Sequence, residues 1–182
     1  MADHAVDDEE EETVLYIYTG GRVPEHLKQH ITHAIIDKSI RSIDNFAFYE
    51  CPHLVDVKFH DDVLHVGKEA FAHCSRLRHL LLPGVIIIDN AAFFDCQQLV
   101  DVKFGHRLEV IRFAAFSQCI SLRHVAMPSC RDIEVAAFFC CEQLTDLDLP
   151  AGLEHVARRA FRRCVRMRRI GMPLKLNMLD SD

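Results

Sequence analysis

The sequence predicts a solenoid of short stacked turns, each supplying a strand and a short helical turn, and three observations carry that prediction. First, a motif, Ala-Phe-x-x-Cys-x-x-Leu, occurs six times, beginning at Ala47, Ala70, Ala92, Ala115, Ala137 and Ala160; the sixth copy has Met167 in place of Leu. Second, the motif cysteines stand at 51, 74, 96, 119, 141 and 164, so the intervals alternate between 23 and 22 residues. A fixed period in the twenties means turns that pack only on their neighbours. Third, apolar residues recur in fixed columns between the motifs, as a core shared by every turn requires.

The elements follow in chain order. Asp3, Asp7, Asp8 and Glu9 to Glu12 put seven acids in the first twelve residues, against a formal charge of −6 for all 182. That run has too little apolar content to fold, so residues 1–13 are predicted to be a disordered acidic tail and 14–182 the solenoid. Val14-Leu15-Tyr16-Ile17-Tyr18 reads as a strand that caps the first turn. Ile31, Ala34, Ile36, Ile40 and Ile43 then form a weaker first turn in register with the rest.

In each later turn the motif Leu is followed at three residues by Val57, Leu80, Val102, Val125, Leu147 or Ile170. Two residues further stands Phe59, Leu82, Phe104, Met127, Leu149 or Met172. This alternation is that of a strand with one face inward. Pro83, Pro128, Pro150 and Pro173 end four of these strands, because proline cannot donate to a ladder. A second apolar pair ends in Val66, Ile88, Ile111, Ile133 or Val156, five residues before the motif Phe. The Ala-Phe segment itself is expected to be a short helical turn with Phe and Cys inward.

These residues closely resemble the BspA-type leucine-rich repeat over roughly Ile31 to Pro173. The resemblance implies an α/β fold: a right-handed leucine-rich-repeat solenoid with a parallel sheet on one face and short helical turns on the other. It also implies recognition of other proteins or surfaces, with no catalytic residues and no cofactor to carry over.

The alternating intervals sum to a 45-residue double repeat: Val55-Asp56-Val57-Lys58-Phe59 recurs as Val100-Asp101-Val102-Lys103-Phe104. The outward column two residues after each Leu reads His33, Asp56, His79, Asp101, His124, Asp146, Arg169. Strands about 4.8 Å apart bring these alternating acids and bases within ion-pair reach. Such a ladder serves either to avoid like-charge repulsion or to recognise a partner. Seven strands with three outward positions each offer about 21 side chains, the size of a standard protein interface. Protein binding through Asp56, Lys58, Arg78, His79, Asp101, Lys103, Arg123, His124 and Asp146 is therefore expected, with Val55, Val100, Ile35 and Leu81 on the same face.

An alternative is nucleic-acid or polyanion binding through Arg158, Arg159, Arg162, Arg163, Arg166, Arg168 and Arg169, seven arginines within twelve residues. Against it stand the lack of interleaved aromatics and the modest overall charge. A third reading is a self-assembling structural unit. After Pro173 a further turn begins with Leu176 and Met178 but stops before another Ala-Phe, leaving an uncapped end expected to self-associate weakly.

No metal site is expected, because thiols placed one per turn do not converge and the twelve histidines are scattered over different columns. The motif cysteines read as buried and reduced, and Cys140 as an exposed thiol because its column otherwise holds Glu50, His73, Asp95, Gln118 and Arg163. Tyr49, Phe94 and Phe139, 45 residues apart, are expected to pack between the helical turns. No phosphate loop, catalytic triad or paired carboxylates are identifiable, so no enzyme is expected. The sequence shows no secretory signal and no apolar run long enough to span a bilayer, so a cytoplasmic location without membrane association is expected.

Overall fold

The computed structural model describes residues 13–171. The acidic run at 1–12 and the residues after Gly171, with Pro173, Leu176 and Met178, lie outside the described residues. So do the expectations of a disordered tail and of an uncapped end that self-associates.

The chain is a β-solenoid whose turns present three hydrogen-bonded sides. The first side carries the predicted strands: Leu15–Tyr18, His33–Ile36, Asp56–Lys58, His79–Leu82, Asp101–Phe104, His124–Ala126, Asp146–Asp148 and Arg169–Gly171. Their pairing is parallel and in register, His33 opposite Asp56 and His79 opposite Asp101. The side falls into three segments. Between segments the Arg78 amide still donates to the Val55 carbonyl at 3.3 Å and the Thr145 amide to the Arg123 carbonyl at 3.5 Å. Gly84 and Gly105 follow strands of this side. A Cβ at either would run into the backbone carbonyl of Asp61 or Pro83, so the turns approach there too closely for a side chain.

The second apolar pair forms a continuous parallel sheet of its own: Ser42–Ile43, His65–Val66, Ile87–Ile88, Val110–Ile111, Asp132–Ile133 and His155–Val156. One residue of each pair is buried and the other only partly so or exposed. Two residues are too few to show a period in sequence, which is why this sheet is not predicted.

The third side differs from the expectation of helical turns. Among the described residues the only helix is Glu25–Lys28, near the N-terminal end. Each Ala-Phe segment is instead bracketed by two residues with positive φ, such as Phe46 at 61° and Glu50 at 58°. Their left-handed backbone reverses the curvature of the chain, so no continuous i→i−4 ladder forms. Alternate amides turn outward to the next repeat. Phe46 donates to the Lys68 carbonyl at 2.9 Å, Phe48 to Ala70 at 2.7 Å and Glu50 to Ala72 at 3.0 Å. The amides between them close local turns, Ala47 to Asp44 and Tyr49 to Phe46.

The core fills the space between the three sides. The motif phenylalanines form one stack, Phe48, Phe71, Phe93, Phe116, Phe138 and Phe161, with successive centroids 4.8–5.3 Å apart and planes within 9°. Tyr18 ends the stack 5.1 Å from Phe48, tilted by 40°. Its hydroxyl lies 3.1 Å from the Gly21 carbonyl and from Asp44, and burial pushes its pKa up to about 12. The predicted capping strand thus places one aromatic that completes the core and satisfies its own polar end.

Five of the six motif cysteines are buried as expected and Cys164 is half-buried, with free thiols throughout. From Cys74 onward the motif thiols donate to the carbonyl of the phenylalanine one turn earlier, Cys74 to Phe48, Cys96 to Phe71, Cys119 to Phe93, Cys141 to Phe116 and Cys164 to Phe138, all at 3.2 Å. Cys140 corrects the expectation of an exposed thiol, being only 4% exposed. Its short side chain sits in a column between the longer Gln118 and Arg163, whose turns bracket its own.

Candidate functional site

Alternation along the first side sends Val57, Leu80, Leu82 and Val102 into the core and leaves Asp56, Lys58, His79, Leu81, Asp101 and Lys103 outside. These six line one concavity of about 610 Å³. Leu81 stands among them with 62% of its surface exposed. Register places Lys103 directly opposite it. A second hollow of about 630 Å³ shares Leu81, Asp101 and Lys103 and extends to His124 and Ala126. Arg78 and Arg123 line a neighbouring hollow with Val100 and Ile120.

The structure therefore brings together eight of the nine predicted protein-binding residues along three adjoining hollows. The ninth, Asp146, stands on the strand Asp146–Asp148 farther along the same side. The charge ladder holds as a register, but among its described side chains the pair within ion-pair distance is His79 Nδ1 to Asp101 at 3.4 Å. Inter-turn pairs occur on the other sides as well: Arg41–Asp62 at 3.1 Å, His73–Asp95 at 3.0 Å, and Asp89 with both His65 and Arg112. Matching charges between turns is thus a property of the whole solenoid. At the N-terminal end the same outward columns continue as Leu15 and Ile17, exposed by 55% and 57%.

The arginines do not form one patch. Arg159, Arg162 and Arg163 lie on the Ala-Phe side, where Arg163 covers the Phe139 ring at 5.8 Å. The Arg166 guanidinium donates to Gln143 at 2.8 Å, and Arg168 lies where the chain enters the first side, its amide bonded to the Thr145 carbonyl. Arg158 is exposed, and Arg169 stands on the strand Arg169–Gly171.

Tyr49 and Phe94 are half-buried and each meets the His73 ring edge-on, at 5.6 and 5.4 Å. They pack on the outer surface of the left-handed segments, where helical turns were expected. Sequence reasoning does not single out Phe113, which is 51% exposed on this side. Its signal is an aromatic in a column that otherwise reads Asn45, Lys68, Asn90, Val135 and Arg158.

Among the described residues no group of three or more His, Cys, Asp or Glu side chains is placed to hold a metal ion. No helix there is long and apolar enough to cross a membrane.

Comparison with known proteins agrees with this architecture. The sequence matches the BspA type leucine-rich repeat region, with six copies, over residues 26–129 and 82–182. The chain belongs to the BspA-type leucine-rich-repeat family. Among solved structures it is similar to a leucine-rich repeat protein from Bacteroides ovatus, with 22% identity over 79% of this chain and 43% of that one and a TM-score of 0.57. It is also similar to one from Eubacterium ventriosum, with 15% identity, coverage of 83% and 46%, and a TM-score of 0.63. A leucine-rich repeat protein of T. pallidum matches at 21% identity, 63% and 65% coverage and a TM-score of 0.50. The chain spans less than half the length of the first two. No curated protein sequence matches it at a significant level.

Proposed function

We propose that this chain is a non-catalytic protein-binding module that recognises its partner through the first side of the solenoid. The observation that carries the reading is Leu81. It is an exposed leucine on a strand's outward face, set in a concavity walled by two lysines and two aspartates, whereas the motif leucines Leu54, Leu77, Leu99, Leu122 and Leu144 are all buried. An apolar anchor ringed by charges of both signs suits a protein partner, because a central apolar contact supplies affinity and the charged rim supplies selectivity. Arg78 and Arg123 in the next hollow extend that surface toward an acidic part of the partner. Eight free thiols suit a reducing compartment such as the cytoplasm.

The polyanion reading is weaker, because the seven arginines are divided between sides of the solenoid and three of them share one hollow. The test compares wild type with two variants in affinity capture followed by quantitative mass spectrometry. One is Leu81→Arg. The other reverses Asp56, Lys58, Asp101 and Lys103 together. Partners lost from both, with thermal melts unchanged, support the sheet surface; partners retained by both sink it.

A further inference from the structure

On the Ala-Phe side, away from the charged strands, a trough of about 750 Å³ runs from Glu69 to Arg159. The double repeat makes it. The position after each motif Phe alternates large and small, Tyr49, Ala72, Phe94, Ser117, Phe139, so a notch opens at Ser117 between two aromatic pillars. The left-handed column supplies a floor of Ala91, Ala114 and Ala136, and Phe113 projects from the wall with half its surface exposed. Arg159, Arg162 and Arg163 close one end. Arg163 rests on the Phe139 ring, and among the described residues no carboxylate lies within ion-pair distance of the three. The trough carries alanine, valine and aromatic side chains along its length, interrupted by Ser117 and Gln118; Glu69 stands at one end and the three arginines make the other cationic. A complementary ligand is an extended peptide with small apolar residues followed by consecutive acids.

The chain itself contains that sequence: Ala5-Val6-Asp7-Asp8-Glu9-Glu10-Glu11-Glu12. Extended at about 3.4 Å per residue, these eight residues span about 24 Å. The four turn-to-turn steps from Glu69 to Arg159 cover about 19 Å at the spacing of parallel strands. The segment cannot reach the trough of its own molecule in that register. It leads into the strand Leu15–Tyr18 at the opposite end, where Tyr18 stacks on Phe48, six rings from Phe161. Those six steps are about 29 Å, whereas the acids at 7–12 reach at most about 20 Å beyond Thr13.

We propose that the trough seats the acidic segment 5–12 of a second copy of this chain, with Ala5 and Val6 on the alanine floor and the acids against Arg159, Arg162 and Arg163. The contact is head-to-tail: each copy offers its acids to one neighbour and its trough to another, so association does not close at a dimer. It uses a different side from the Leu81 surface, and loss of either leaves the other intact.

Sedimentation velocity on the full chain tests it. Wild type is expected to associate with rising concentration, weakening by about tenfold or more as salt is raised from about 0.05 to 0.5 M. One variant neutralises Asp7 to Glu12 as amides, and the other carries Arg159→Glu, Arg162→Glu and Arg163→Glu. Each is expected to be monomeric alone, while an equimolar mixture forms a heterodimer and nothing larger, because it pairs one intact trough with one intact acidic segment. Phe113→Ser, which removes the half-exposed ring and keeps the backbone amide that donates to Glu134, should weaken association in the same assay. A wild type that stays monomeric at low salt overturns the proposal, as does either charge variant associating like wild type. A labelled peptide of residues 1–13 should bind the amide variant in preference to a scrambled peptide of the same composition. Equal binding of both would assign the trough to acidic partners generally and overturn the second-copy occupant.

Discussion

At the scale of single residues, the cysteine of the motif is explained by a hydrogen bond. The carbonyls of Phe71, Phe116, Phe138 and Phe161 accept the amide three residues on, as Phe71 accepts Cys74 at 3.2 Å, and retain a second lone pair facing the core. Cysteine is small enough to fit under the phenylalanine stack and brings a weak donor to that lone pair. Alanine would fit but leave the carbonyl half-satisfied. The stack supplies the larger energy. Phe93 is fully buried between Phe71 at 5.2 Å and Phe116 at 5.1 Å. Phe93→Ala is expected to cost about 3–5 kcal/mol, read as a lower urea midpoint with an unchanged slope. A loss under about 1 kcal/mol would mean that neighbouring turns collapse into the cavity. Cys164, in the last motif, is the one half-buried thiol. It should therefore be the first thiol labelled by a disulfide reagent in the folded protein, with the other seven reacting only on unfolding. Peptide mapping after brief labelling checks this, and early modification of Cys140 would contradict its burial.

At the scale of elements, the left-handed segments carry the cost of the architecture. A residue with a Cβ at positive φ costs about 1–2 kcal/mol relative to the right-handed form. This chain accepts that twice per turn, at residues such as Ala91 and Ala136, because the conformation aims alternate amides at the next turn. Ala91→Gly removes the strain, and the extra chain entropy lost by glycine, about 0.5–1 kcal/mol, cancels part of the gain. A net stabilisation of about 0.5–1 kcal/mol is expected. Ala91→Val, with a branched Cβ at φ 52°, should destabilise by more than about 1 kcal/mol. Chemical denaturation of the two variants side by side measures both, and equal effects would show that the side chain and not the backbone decides. The same segments mark the limit of what the sequence discloses. The motif, the capping strand and the first sheet are legible because apolar columns and period-2 alternation report them. The left-handed ladder is not, because its two columns hold Phe, Glu, Ala, Arg, His, Asp, Gln and Cys, with no glycine or asparagine to signal positive φ. Cys140 is misread for a related reason: a polar column predicts exposure, but a short side chain in it is covered by its longer neighbours. The concavity around Leu81 is legible as a face, whereas the trough is not, since it depends on the backbone geometry that the sequence hides.

At the scale of the whole molecule, turns that contact only their neighbours couple stability through a continuous core, and its buried thiols, those of the motif column together with Cys130 outside it, make that core sensitive to alkaline pH. Burial pushes the Cys51 and Cys130 thiols up to about 12 and raises those of Cys74, Cys96 and Cys141 well above the ordinary 9.0. Below pH 9 each thiol is protonated in both the folded and the unfolded chain, so none makes stability depend on pH. As pH rises from about 9 toward 12, the unfolded chain releases these protons and the folded chain retains them. The folded state then binds more protons than the unfolded one, and stability falls with pH. The limiting slope is about 1.4 kcal/mol per pH unit for each such thiol. Two of them acting together would remove about 3 kcal/mol over one unit, a large part of the stability of an ordinary domain. The melting temperature is thus expected to be nearly flat from pH 7 to 8.5 and to drop steeply above 9. The double variant Cys51→Ala, Cys130→Ala should start lower, because it loses buried packing, yet fall more gently by about 3 kcal/mol per unit. That difference in slope separates ionisation of the thiols from simple loss of core volume. Parallel curves for wild type and variant would mean that the thiols titrate alike in both states, and the column would then owe its place in the repeat to packing and hydrogen bonding alone.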